Sequence, residues 1–249
     1  MKISIITVCQ NSVRVIEKAL SSVHEQDYKN IEHIVIDGGS TDGTLKKIMI
    51  HRHKLAHLVS EPDDGIYDAM NKGIDLASGD VICFLNADDY YASPYILSLV
   101  AERMANDCLD AFYGDVVFFS EKTPQKIIRR YRSDKFKPEL IPYGWMPAHP
   151  ALFLHRSIFE TFGNFDATYQ IAGDFEFIAR AFYRGGLRCG CVPEILVCMQ
   201  AGGASNGGWR SKLLLNREVL RACKANAVPS GWLKLLSKYP AKLMEYFDK

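Results

Sequence analysis

"IEHIVIDGGSTDGT", residues 31–44, holds the pattern that decides the fold. Ile31, Ile34, Val35 and Ile36 make its first half a strand by composition. The run breaks at Asp37-Gly38-Gly39, and "TDGTLKKIMIHRH" (41–53) restarts as a helix. The same alternation lies on both sides. "KISIITV" (2–8) is a continuous apolar strand, and "VRVIEKALSSVHEQ" (13–26) places Val13, Ile16, Ala19, Leu20 and Val23 at helical spacing. "AHLVSEP" (56–62) reads as a third strand, "GIYDAMNKGIDLA" (65–77) as a helix and "DVICFLNADD" (80–89) as a fourth strand. "SPYILSLVAERMAND" (93–107) is helical again, with Ser93 as N-cap and Pro94 at the first position. Apolar strands separated by helices predict an α/β chain whose mostly parallel sheet is covered on both faces. Ligands of such sheets gather at the carboxyl ends of the strands.

After residue 110 the alternation stops. "AFYGDVVFFS" (111–120) and "QKIIRRYR" (125–132) read as paired strands, and "PALFLHRS" (150–157) as a short one. "SIFETFG" (157–163) and "DFEFIARAFYRGG" (174–186) read as helices, and "LRCGCVPEILVCMQ" (187–200) as further strand. From residue 211 the pattern is helical, interrupted by "NAVPSGW" (226–232).

The chain has 249 residues, 48% hydrophobic and 24% charged, which suits a globular protein with a sizeable core. A net charge of +1 gives no broad basic field for nucleic acid. Seven scattered cysteines, with Cys9, Cys83 and Cys198 in apolar runs, read as reduced, buried thiols of a cytoplasmic protein. Cys189 and Cys191 lack a second pair at zinc spacing. "MKISIITVCQNS" reads as a first strand, not a signal peptide, and no apolar run is long enough to cross a membrane.

The strand ends collect acids. Thr7, Cys9 and Asn11 follow strand one, and Asp37 and Asp42 strand two. Asp63 and Asp64 follow strand three, and Asn86, Asp88 and Asp89 strand four. In a parallel sheet all four sets share one edge. Crowded carboxylates are costly unless solvated or bound to a cation. A hard divalent ion with oxygen ligands, Mg²⁺ or Mn²⁺, would relieve them and also grip a diphosphate. Taken singly, each piece has a plainer reading: residues 37–44 as a turn capped by Ser40 or Thr41, and Asp88-Asp89 as a turn before the next helix. The glycines match neither the G-x-G-x-x-G spacing of dinucleotide folds nor the G-K-[ST] of phosphate loops.

Residues 4–44, from "SIITVCQNS" to "DGGSTDGT", resemble the opening of the family 2 glycosyltransferases, enzymes of GT-A fold. "SEPDDGIYDAMNKGIDLASGDVICFLNADD" (60–89) is similar to the next block of that family, in a branch of bacterial exopolysaccharide and colanic acid-type transferases. "HPALFLHRSIFETFGNFDATYQIAGDFEFIARAF" (149–182) resembles the block bearing its base, and the likeness spans about residues 1–205.

The resemblance implies an inverting transferase that moves a sugar from a nucleotide-diphosphate donor to an acceptor hydroxyl, such as that of a lipid-linked saccharide. It divides the chain into a catalytic domain, 1–210, and a helical extension, 211–249. Within the domain, 1–110 binds the donor and 111–210 the acceptor. Position by position, Thr7, Cys9, Asn11 and Asp37 would face the nucleobase. Asp63, Gly65, Asn71 and Lys72 would face nucleotide and sugar. Asp88 takes the metal position of the D-x-D motif, and Asp174 that of the base. Asn86 departs from the pattern, standing where the first aspartate is common, and contributes an acceptor oxygen without charge.

Asp89 is either a further ligand or a cap. Asp174 reads as an N-cap as well as a base, the two roles being compatible. His149 is either a donor or acceptor contact or a packed ring. "GGASN" (202–206), followed by Arg210 and Lys212, is either a loop closing on the diphosphate or a solvated one. In the tail, Trp232, Leu236, Tyr239, Leu243 and Phe247 share one helical face, with Lys234, Lys238 and Lys242 opposite. That stripe fits the cytoplasmic surface of an anionic membrane, or docking on the protein's own core or a second subunit. A sugar nucleotidyltransferase would carry glycines after strand one, where this chain has "CQNSVRV". A binding protein that has lost catalysis finds support only in Asn86.

Overall fold

The computed structural model describes residues 1–120, 123–201 and 208–244. The first half follows the alternation. Strands β1 (Ile3–Cys9), β2 (Ile31–Asp37), β3 (His57–Ser60) and β4 (Val81–Phe84) are linked by α1 (Ile16–His24), α2 (Thr44–Ile50) and α3 (Ile66–Leu76). They pair in parallel in the order β3-β2-β1-β4.

Beyond β4 the sheet becomes mixed. It continues through β8 (Leu152–His155), β6 (Ala111–Ser120), β9 (Cys189–Gln200) and β5 (Asp89–Tyr91), with β7 (Thr123–Tyr131) on β6. β4–β8, β8–β6, β6–β7 and β9–β5 run antiparallel, and β6–β9 runs parallel. "Mostly parallel" therefore describes the first half only. Where no helix separates two strands, as between β6 and β7, the return must be antiparallel.

Asp88-Asp89 is not simply a turn into a helix, because Asp89 opens β5 and pairs with Met199 of β9. Nor does Ser93 cap a helix starting at Pro94. Helix α4 (Ile96–Asn106) begins later, and Ser93 Oγ accepts from the Tyr95 N–H at 3.3 Å in a local turn.

The sheet is apolar on both faces. Ile6, Ile34 and Phe84 pack with Met70 of α3, Phe177 of α6 (Gly173–Phe182) and Val219 of α7 (Gly208–Ala225). Ile3, Val81 and Cys83 pack with Leu97, Val100 and Met104 of α4. Short helix α5 (Arg156–Phe162) follows β8. Helix α8 (Trp232–Met244) docks through Leu235, and it turns Lys238 inward rather than toward solvent. Tyr239 accepts from the Asn216 amide at 2.8 Å, while Trp232, Leu233 and Leu236 are exposed. The outward face is thus rotated from the one the heptad-like spacing suggested, because the docked side is set by the groove it fills. Of the cysteines, Cys9, Cys83 and Cys223 are buried, Cys198 is half-buried, and Cys108, Cys189 and Cys191 are exposed. Residues 202–206 and Phe247 lie outside the described residues, and the side chains of Lys242 and Leu243 are likewise not described. Among the described residues no helix is long and apolar enough to cross a membrane.

Candidate functional site

The carboxyl ends of β1 and β4 open into a cavity of ≈ 1140 Å³. Its sheet-edge wall includes Cys9, Asn11, Asp63, Gly65, Asn86, Asp88 and Asp89, and its far wall includes His149 and Asp174. Lys212 and Lys238 of the C-terminal helices also reach it.

The loops of this wall are stitched together by short polar side chains. Asn11 sits at φ 48°, a left-handed conformation that asparagine tolerates. Its N–H donates to Ser40 Oγ at 2.7 Å, and its Oδ1 accepts from the Thr41 N–H at 2.9 Å. Asp37 is buried and accepts from the Ser40 N–H at 3.1 Å, the Ser40 hydroxyl and the Ser60 hydroxyl at 2.6 Å. Cys9 Sγ donates to Asp37 Oδ1 at 3.6 Å, and burial followed by the Asp37 charge pushes its thiol far up. Asp63 Oδ1 accepts from the Gly65 N–H at 3.0 Å. Gly38 leaves room for the Asp63 carboxylate, which would have to swing aside for a Cβ there.

Asn86, Asp88 and Asp89 differ from these. Burial raises the carboxyl of Asp88, and burial followed by the charge of Asp88 raises that of Asp89 well above the ordinary range. Asn86 Oδ1 and Asp89 Oδ2 are buried with no hydrogen-bond partner among the described residues. Orphaned buried oxygens are costly. Oxygen-only donors beside two carboxylates fit a hard divalent cation whose remaining positions are filled by phosphate oxygens or water. The described residues contain no cluster of three or more His, Cys, Asp or Glu able to hold a metal by themselves.

The far wall is aromatic. His149 stacks on Phe84 with ring centroids 5.2 Å apart, and Phe165 meets its ring edge-on at 5.9 Å. Its Nε2 is buried without a partner among the described residues. Burial pushes the imidazole down, and the Asp174 charge opposes this. Asp174 lies in the first turn of α6. Its Oδ1 accepts from the Phe175 N–H at 2.8 Å and from the Tyr67 hydroxyl at 3.3 Å. Burial raises its carboxyl, with His149 the largest opposing influence. It is not the helix cap: that place is Ala172, whose side chain makes no capping bond. Gly173 is required here, since a Cβ would stand 2.8 Å from the Tyr67 ring.

Five residues expected at the site do not line the cavity. Thr7 is buried against the His33 ring, 3.0 Å away. Asp37 lies behind the loops it ties. Asn71 exchanges two hydrogen bonds with the Phe165 backbone, at 2.9 and 3.0 Å. Lys72 pairs with Glu61 at 2.9 Å and Asp68 at 3.3 Å, so its charge is met on its own loop. Arg210 lies against its neighbour Trp209, 5.4 Å from the ring. Tyr67 is a site residue that the sequence reading passed over, although it stands inside the quoted "GIYDAMNKG" run.

Residues 4–178 match the family model described as Glycosyl transferase family 2. A PGL/p-HBAD biosynthesis glycosyltransferase of Mycobacterium bovis is 31% identical over 192 residues, covering 72% of this chain and 69% of that protein. The fold is similar to S. aureus TarS 1-349 in complex with UDP-GlcNAc: TM-score 0.72, 19% identity, 98% of this chain and 73% of that one. It is also similar to the mannosyltransferase PcManGT of Pyrobaculum calidifontis in complex with GDP-Man and Mn2+: TM-score 0.64, 21% identity, 92% and 65% covered.

Proposed function

The chain belongs to glycosyl transferase family 2, and from that premise we propose that it transfers a sugar, with inversion, from a nucleotide-diphosphate donor to the hydroxyl of a cell-surface glycan precursor. One observation carries the reading: Asn86, Asp88 and Asp89 line the same cavity as Asp174 of the far wall, and Asn86 Oδ1 and Asp89 Oδ2 are buried with no partner among the described residues. The open wall takes the diphosphate end of the donor. Asp88, with Asp89 and the Asn86 oxygen, would hold Mn²⁺ or Mg²⁺. When bound, that ion offsets charge on the departing diphosphate.

Cys9, Asn11, Asp63 and Gly65 line the base and sugar end of the donor. Asp37 and Lys72 support those loops from behind, while Thr7 meets His33 and Asn71 ties α3 to the Phe165 backbone. Asp174 accepts the proton of the acceptor hydroxyl as it attacks the anomeric carbon from the opposite face. Burial that raises its carboxyl makes it a better base near neutral pH. The Tyr67 hydroxyl and the Phe175 N–H hold that carboxylate in place, and His149 acts on it through its charge. A single base with no enzyme nucleophile is the minimum for single displacement. The solved neighbours named with UDP-GlcNAc and GDP-Man support a nucleotide-sugar donor, and the Mn2+ of the second supports the ion.

Titrating the protein with UDP, GDP and dTDP, with and without Mn²⁺, tests this. The expected result is micromolar binding of one nucleotide, tightened by the metal. Binding of none overturns the donor reading, and binding indifferent to Mn²⁺ overturns the ion.

The acceptor is proposed to be lipid-linked, with the protein resting on the cytoplasmic face of an anionic membrane. Residues 208–244 carry eight Lys and Arg against one acid, Glu218, and Trp232, Leu233 and Leu236 are exposed together on α8. Flotation with phosphatidylserine vesicles should carry the wild type and leave a Trp232→Ser/Leu233→Ser/Leu236→Ser variant behind. Equal flotation removes α8 from the contact.

A further inference from the structure

Helix α7 belongs to the C-terminal part of the chain, yet its inner face grips the segment that leads into Asp174. Glu218, 6% exposed, is the one acidic residue of 208–244. Its carboxylate accepts three backbone N–H bonds in succession: Gln170 at 2.8 Å, Ile171 at 2.9 Å and Ala172 at 2.9 Å. One turn on, Arg221 donates to the Thr168 carbonyl at 3.3 Å and to the Thr168 hydroxyl, and stands 4.1 Å from the Tyr169 ring centre. Both side chains leave one face of the helix, three positions apart.

The held segment is then read from its other side. The Ile171 carbonyl accepts from the Tyr67 hydroxyl at 2.7 Å, and the same hydroxyl reaches Asp174 Oδ1 at 3.3 Å. A path of direct contacts therefore runs from Glu218 through the 170–172 backbone to Tyr67 and Asp174. Three successive N–H groups aimed at one point, that of Ala172 buried, are met by a carboxylate, the strongest acceptor a side chain can supply. Ala172 cannot cap α6 with its own side chain, so the fixed point ahead of the helix comes from α7.

We infer that Glu218 is a positioning residue for the transfer reaction: it sets the place of Asp174 by anchoring residues 170–172, which makes α7 part of the catalytic apparatus. The inference rests on reading Asp174 as the base. Glu218 does not line the cavity, so its loss should reach turnover and leave donor binding alone. Displacement of a base by about 1 Å costs on the order of 100-fold in rate.

The test is Glu218→Gln, which keeps the size and removes the charge, so that the amide N–H₂ faces a backbone amide. Nucleoside-diphosphate release is followed with UDP-GlcNAc and GDP-mannose, using water as acceptor, beside hydrogen exchange of the peptide covering 166–178. Turnover is expected to fall about 10- to 100-fold at unchanged donor KM, with faster exchange at 170–172. Asn216→Ala serves as control. Asn216 is buried on the same helix and donates to Tyr239 Oη at 2.8 Å, but it makes no bond to that segment. It should lower the melting temperature without lowering turnover per folded molecule.

Turnover at the wild-type rate in Glu218→Gln overturns the inference, as does a loss matched by the Asn216 control. If Glu218→Gln does not fold, Glu218→Asp retains the charge with a shorter reach and should show the same split at smaller size; an unchanged rate there overturns it as well. If the wild type releases nucleoside diphosphate from neither donor, the functional reading fails by itself. Exchange at 170–172 then decides the anchoring, and unchanged exchange overturns it.

Discussion

The two acidic walls of the cavity are built in opposite ways. On the sheet-edge wall, Asn86 Oδ1 and Asp89 Oδ2 have no partner among the described residues, although the backbone beneath them is tied locally by the Asp89 N–H to Asn86 O bond at 3.1 Å. On the far wall, Asp174 has its partners inside the protein. Tyr67 reaches it from 107 residues earlier, and Glu218 holds Ala172 from 46 residues later. An open set of oxygens is suited to a ligand that brings its own positive charge. A closed set is suited to a base that must not move while a proton is transferred. The difference teaches that one wall is organised for binding and the other for geometry, so damage to each should register in a different constant.

Asp174→Asn gives the largest expected effect. The amide cannot take the acceptor proton, so kcat should fall about 10²- to 10⁴-fold while nucleotide affinity stays within a factor of two or so. In the wild type the acid limb of the rate profile should lie above the ordinary aspartate range, because burial raises this carboxyl and activity needs it ionised. A residual rate near wild type would move the base elsewhere and dissolve the contrast.

A pair of glycine substitutions sharpens it. Gly173→Ala drives a methyl toward the Tyr67 ring, whose atoms stand 2.8 Å from the built position and are buried. It should cost about 1–3 kcal/mol of stability and about 10-fold in turnover. Gly38→Ala drives a methyl toward the end of the half-exposed Asp63 side chain, which can swing away. It should cost roughly 0.5 kcal/mol and raise donor KM instead. Melting curves and steady-state kinetics on both variants check this. Equal losses of kcat would mean that the walls are not distinct.

The same contrast governs what could be read from the chain. The parallel half was legible because each strand is a short apolar run and each break is marked by glycine and aspartate, as at Asp37-Gly38-Gly39. That Asp88 and Asp174 meet at one cavity was legible because their motifs are local strings. The antiparallel return of β8 against β4 was not, since pairing partners such as Cys83 and Phe153 are fixed only when the second half folds back. Lys72 and Arg210 illustrate a different limit: a base near a phosphate-like loop looks like a ligand residue until Glu61 and Asp68 are seen to hold the first. Helical spacing places Lys238 opposite the Trp232 face, but Leu235 decides which side of α8 docks, and Lys238 follows it inward. Glu218 had one sign in the sequence, its isolation among basic residues, and that sign says nothing about three amides elsewhere in the chain.

The effect that reaches kcat least is one of stability, and it concerns the parallel half. His33 of β2 is buried, its Nδ1 is 3.1 Å from His24 Nε2, and its Nε2 is 3.0 Å from Thr7 Oγ1. Burial depresses His33 to about 3 and His24 to about 4. Neighbouring Glu32 lies at about 2; burial opposes that shift, and the bonds from Lys2, Ser4 and Ser78 overcome it. A depressed histidine is neutral when folded and takes up its proton when unfolded, so its contribution is complete above 6.5 and is lost as pH falls toward 4 and then 3. Glu32 adds in the same direction between 4.5 and about 2. Each buried histidine should steepen the decline by at most about 1.4 kcal/mol per pH unit. Melting temperature should therefore hold between pH 8 and 7 and drop below pH 6, with β1 and β2 amides losing hydrogen-exchange protection before those of β6 and β8. His33→Gln should flatten that acid slope without touching kcat at neutral pH. Were β6 and β8 to open first, acid sensitivity would belong to the half that holds Asp174, and the two halves would have to be treated as one cooperative unit.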